Sequence, residues 1–152
     1  MKKILLSLLL LFAGLTLTEA QTKPYLSLSD AQRITAAATE KAMAEGWNVV
    51  IVILDDGGNL ISLQRMDGVQ VGSIEVAQAK AKSAVFFKRP TKVFEDAMKA
   101  EGGARIATLP NAVGVEGGLP IFKDGVIVGS IGVSGVTSAQ DGIIAAAGIA
   151  KY

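Results

Sequence analysis

The 152-residue chain contains no cysteine and no histidine. Without cysteine there are no disulfides, thiolate nucleophiles, iron–sulfur clusters or cysteine zinc sites. Without histidine there is no Ser-His-Asp triad and no imidazole metal ligand. Aromatic residues make up only 5%, too few for a base-stacking platform. The formal charge is +1, from 15 basic and 14 acidic residues, so no basic face marks a nucleic-acid partner. What is present is apolar: half the residues are hydrophobic and 19% are charged, enough to bury a core in one domain.

The opening segment, residues 1–20, has the pattern of a secretory signal peptide. Lys2 and Lys3 precede an apolar run from Ile4 to Ala13, broken only by Ser7, and Thr18-Glu19-Ala20 supplies the small residue at the cleavage point. The apolar stretch is shorter than the roughly 20 residues of a membrane span. The expectation is a periplasmic or secreted protein, with one domain over residues 21–152 and no membrane span after leader removal. That remainder has 13 basic and 13 acidic residues, hence no net charge to draw a partner.

Hydrophobic periodicity and turn chemistry predict the elements. A capping-box pattern at Ser29–Gln32 and apolar Ile34, Ala37, Ala38 and Ala42 predict a helix from Asp30 to Glu45, stopped at Gly46. Trp47–Leu54 is a β-branched run of the kind covered on both faces. Asp55-Asp56-Gly57-Gly58-Asn59 then turns the chain into a return strand, Leu60–Met66. A helix is expected from Ile74 to Phe87. Pro90 separates it from a shorter one capped by Thr91, with Val93, Phe94, Ala97 and Met98 facing inward, and Gly102-Gly103 ends that helix. Short strands are expected at Val113–Glu116 and Leu119–Phe122, a hairpin turn at Lys123-Asp124-Gly125, and a glycine-rich strand at Val126–Val133. A capping box at Thr137–Gln140 starts a last helix, Ser138–Lys151. The order α-β-β-α-α-β-β-β-α predicts an α+β, profilin-like domain: a mainly antiparallel five-stranded sheet flanked by about four helices.

Three segments carry candidate chemistry. Glu116-Gly117-Gly118-Leu119-Pro120 sets a carboxylate beside glycine amides able to hold an anion, with Glu116 as the candidate acid or base. The plainer account is a tight connection with a solvated Glu116. Gly129–Gly135, followed by Thr137–Asp141, joins a glycine-rich strand to a helix N-terminus, where Ser134, Gln140 and Asp141 stand near amides suited to carboxylate or phosphate. It is neither a P-loop nor a dinucleotide fingerprint, and close strand–helix packing explains its glycines equally well. Ser130 and Ser134 have no histidine to activate them as nucleophiles. Among the cations, Lys80 lies between apolar positions and could enter a cleft. Lys82 and Lys88 read as a solvated face, and Arg65 with Asp67 as a surface ion pair. Met66 and Tyr25 carry thioether and phenolate groups, both able to ligate haem iron, although methionine is commonly core filler.

Taken in order, these blocks resemble the GlcG/HbpS-like family of haem-binding and small-molecule-associated proteins. The same domain is similar to the C-terminal part of PduO-type corrinoid adenosyltransferases. The matching motifs are Leu28-Ser29-Asp30-Ala31, Asp55–Leu60, Arg65-Met66-Asp67-Gly68, Ser73–Ala77 with Lys80-Ala81, Arg89-Pro90-Thr91, Glu116–Pro120, and Gly129–Gly135 with Gln140-Asp141. The resemblance covers Leu26 to about Ala150. It implies an α+β domain, oligomers built from dimers, and haem binding in some members, with no established reaction. Ala100–Asn111 is shorter than in many relatives. With no histidine, haem would need a thioether, oxygen or amine ligand (Met66, Tyr25 or Lys80) or contacts without strong axial ligation. The two carboxylates three residues apart that bind iron in some exported members are missing.

The expected function is therefore an exported haem- or tetrapyrrole-binding protein, with Lys80, Arg65 or Arg89 pairing with propionates. A first alternative is a small-carboxylate module or enzyme built on Glu116 and the amides of Gly117 and Gly118. A second is a non-catalytic oligomeric accessory protein, suited by its Ala- and Gly-rich surfaces.

Overall fold

A computed structural model describes residues 23–152. The leader expectation lies outside the described residues. Helix α1 (Leu28–Glu45) is followed by β1 (Val50–Asp55), β2 (Leu60–Arg65), α2 (Ser73–Phe87), α3 (Lys92–Met98), a 3-10 helix (Gly103–Thr108), β3 (Gly118–Lys123), β4 (Val126–Ser134) and α4 (Ser138–Ile149). The fold is α+β, and the sheet has four antiparallel strands in the order β2-β1-β4-β3. Among the described residues, no helix is long and apolar enough to cross a membrane.

The fifth strand does not form. Val113–Glu116 has no ladder partner because its backbone donors go to side chains. The N–H of Val113 donates to Ser83 Oγ at 3.1 Å, and that of Glu116 to Glu95 Oε2 at 2.7 Å. The adjacent edge of β4 is taken by β3 from Gly118 onward.

Local chemistry accounts for most element ends. The first capping box sits two residues before the expected Ser29–Gln32. Ser27 Oγ accepts from the Asp30 N–H, and the Asp30 carboxylate accepts from the Ser27 N–H. That register buries Leu26 just before the cap and Ala31 four residues into the helix, a hydrophobic staple. Gly46 closes α1 in the left-handed conformation, and Thr137–Gln140 caps α4 as expected. Asp124 and Gly125 both have positive φ (50° and 76°), as a two-residue type I′ hairpin requires.

β1 is covered on both faces. Ile51 and Ile53 pack with Ile34, Ala38 and Ile144 under α1 and α4, while Val50, Val52 and Leu54 pack with Ala77 and Ala81 of α2. Gly132 of β4 makes the second contact close. A Cβ at Gly132 would collide with the Ala77 carbonyl and Ala81, whereas one at Gly129 would strike the Leu54 carbonyl of β1 and Leu26 on the other face. Ser130 Oγ donates to the Ala81 carbonyl at 2.8 Å, so α2 lies with its backbone against β4. The inward face expected for α3 is smaller in the structure. Phe94 is buried and meets Phe87 edge-on at 5.0 Å, whereas Val93 and Met98 are exposed.

Candidate functional site

The structure separates the sequence-derived candidates into three places. The first is a buried knot where α2, α4 and the end of β4 meet. Lys80 is 1% exposed. Its Nζ donates to Asp141 Oδ2 at 2.7 Å and to the Val133 carbonyl at 3.0 Å. Asp141 Oδ1 accepts from the Val136 N–H at 3.2 Å. Burial raises the Asp141 carboxyl above the ordinary aspartate range, against the opposing effect of Lys80. Lys80 therefore enters no cleft, and its ammonium is engaged by Asp141 and the Val133 carbonyl. Ser134 is buried at the end of β4 opposite Val50, and Gln140 is held in its capping box, where its Oε1 accepts from the Thr137 N–H and hydroxyl.

The Gly117-Gly118 segment is part of the same knot and serves packing. The Gly118 N–H donates to Thr91 Oγ1, and the Thr91 N–H to the Gly118 carbonyl, both at 3.0 Å. Thr91 thus makes no side-chain cap for α3, contrary to the local expectation, because its hydroxyl reaches across to β3. A Cβ at Gly118 would strike the Lys80 carbonyl, and Gly117 has φ 124° beside Lys80 Nζ. The half-buried Glu116 lies against Gly142 of α4. The Gly118 amide, already bonded to Thr91, is not a free anion donor, which removes half of the proposed amide pair. Glu95, which accepts from the Glu116 N–H and from Lys99, is held below the ordinary glutamate range by those bonds.

The second place is an open groove of about 500 Å³ between the C-terminal end of α1 and the end of β2. It brings Arg65 and Met66 together with Thr39, Met43 and Trp47. Met66 and Trp47 are half-buried against the core, and Met43 is 68% exposed. Arg65 is exposed and its Nη2 reaches the Val69 carbonyl at 3.4 Å. The expected Arg65–Asp67 ion pair is absent among the described residues. The sequence reading found Arg65 and Met66 but missed Met43 and Trp47. The four-residue spacing of Thr39 and Met43, with Trp47 just past the helix stop, was the available signal.

The third place holds the outliers. Tyr25 is 71% exposed near Lys123 and Asp30, outside the groove. The Nε of Arg89 donates to the Phe87 carbonyl, and its guanidinium lies over Phe94, 5.8 Å from the ring centroid. Among the described residues no three acidic side chains converge as a metal site.

Among the described residues, the α+β domain combines a buried Lys–Asp knot with a separate groove lined by the thioethers of Met43 and Met66. Residues 26–150 match the family described as "Haem degrading protein HbpS-like", and the chain belongs to that family. It is 41% identical over 114 residues to Protein GlcG of Escherichia coli K12, covering 75% of this chain and 84% of GlcG. It is 33% identical over 130 residues to the corrinoid adenosyltransferase PduO of Salmonella typhimurium LT2, covering 82% of this chain but only 38% of PduO. The solved "PduOC:Heme Complex" superposes with a TM-score of 0.78 at 32% identity, covering 85% of this chain and 96% of that one.

Proposed function

We propose that this protein is an exported haem- or tetrapyrrole-binding protein that holds its ligand in the Arg65–Met66 groove. The observation that carries the reading is the likeness, over nearly the whole domain, to a structure described as a haem complex, within a family described by haem. The leader pattern of residues 1–20 supports export.

The groove's chemistry fits the group. Met66 offers a half-buried thioether for iron, and Met43 a second at the rim. Trp47 provides an apolar plane, and Arg65 a guanidinium shaped for a propionate carboxylate. When bound, haem would supply redox-active iron, and the chain's own residues would bind, orient and partly shield it. Lys80 is left out of the ligand set because its ammonium is buried against Asp141. We further propose a homo-oligomer built from dimers, checked by light scattering at micromolar concentration, where a monomer contradicts it. Absorbance titration of the chain from Gln21 with haemin tests the function. A saturable Soret shift is expected, and a spectrum equal to free haemin plus protein overturns the reading.

A further inference from the structure

On the opposite face of the sheet from that groove lies a smaller, more enclosed pocket of about 290 Å³, which none of the haem chemistry uses. One wall is α2, whose Glu75, Gln78 and Lys82 line it at intervals of three and four residues. The facing wall is the β1–β2 hairpin, and Leu54, Leu60 and Val113 give it apolar surface. Asn111 closes one side with φ 65°, a left-handed conformation that Asn adopts more readily than most side-chain residues. The closing loop is pinned, since the N–H of Val113 donates to the fully buried Ser83 of α2. The hairpin is set by Gly58, at φ 80°, where a Cβ would strike the Phe86 ring.

The two charges stand at opposite ends. Glu75 is in the first turn of α2, and Lys82 is seven residues on, about 10 Å along the axis at 1.5 Å per residue. Lys82 Nζ lies over the Phe86 ring, 5.7 Å from its centroid and one turn further away from Glu75. Neither residue belongs to an ion pair among the described residues. An α-amino acid carries both charges on one carbon and cannot reach both ends. An extended tripeptide spans about 10 Å at roughly 3.3–3.6 Å per residue, and a hydrogen bond of about 3 Å at each end extends its reach to about 16 Å, which covers the further turn to Lys82 Nζ. Its peptide groups would meet the Gln78 and Asn111 amides, which both donate and accept.

We propose that this pocket binds a small elongated zwitterion of tripeptide length, its ammonium on Glu75 and its carboxylate on Lys82. The inference is independent of haem binding. It is tested by isothermal titration of the full chain with trialanine, with alanine and N-acetyl-trialanine amide in parallel. Saturable binding of trialanine is expected, about tenfold or more weaker for both comparison compounds and for the Glu75→Gln and Lys82→Met variants. Both residues are exposed, so each variant should unfold thermally like the parent. No saturable heat at millimolar trialanine overturns the proposal. So does equal affinity in both variants, or alanine binding as tightly as trialanine.

Discussion

At the residue scale, the strongest constraint is the Lys80–Asp141 pair. Two charges taken from water need good geometry to offset desolvation, and here both Asp141 oxygens and two Lys80 protons have partners. Removing one partner strands the other. Lys80→Met should therefore cost about 3–5 kcal/mol in urea unfolding, and Lys80→Met/Asp141→Leu should recover a large part of it. A single variant as stable as the parent would show that the pair contributes nothing. This pairing was not legible in the sequence. Lys80 sits amid alanines that mark a buried face, but its partner is 61 residues away. Thr91 teaches the same lesson: local rules made it a helix cap, and a bond from Gly118, 27 residues on, took its hydroxyl. At Thr137 and Gln140, both partners lie within one turn and the sequence sufficed, whereas at the first helix the same local signal pointed two residues past the true box at Ser27 and Asp30.

At the element scale, Gly132 of β4 sets how near α2 approaches the sheet. Gly132→Ala places a methyl against the Ala77 carbonyl with no space to yield, so a loss of about 1–3 kcal/mol is expected in chemical denaturation. An unchanged midpoint would contradict that contact. The helices and the β1–β2 and β3–β4 hairpins were legible because turn residues and periodicity are local. Asp55 Oδ1, for example, accepts from the N–H groups of Gly57 and Asn59 within its own turn. The missing strand at Val113–Glu116 was not legible, because its fate depends on Ser83 and Glu95 competing for its amides. The groove was half legible: Arg65 and Met66 stand adjacent in sequence, whereas Met43 and Trp47 arrive from another element.

At the scale of the whole molecule, stability without disulfides rests on packing and on a few carboxylates held in fixed bonds. Glu95 is held below its unfolded value, near 4.3, by the Glu116 N–H and Lys99. Asp30 is likewise lowered, chiefly by Ser27. Groups lowered on folding contribute stability above the unfolded pKa and lose it as pH falls through the folded one. Asp141, raised by burial, has the opposite sign: its contribution is full below about pH 3.9 and declines as pH rises through the folded pKa. Glu95→Gln should therefore show a smaller fall in Tm than the parent between about pH 5 and about pH 3, measured by calorimetry. Parallel curves would remove Glu95 from the account.

The central claim is that a chain with neither histidine nor cysteine binds haem through the groove at Arg65 and Met66. The direct measurement is a haemin titration followed at the Soret band, run side by side on the parent chain, Met66→Leu and Arg65→Gln. The account predicts saturable binding by the parent, an altered Soret band in Met66→Leu as the thioether is lost, and weaker binding in Arg65→Gln. A flat titration of the parent, or identical spectra and affinities for all three proteins, would contradict it.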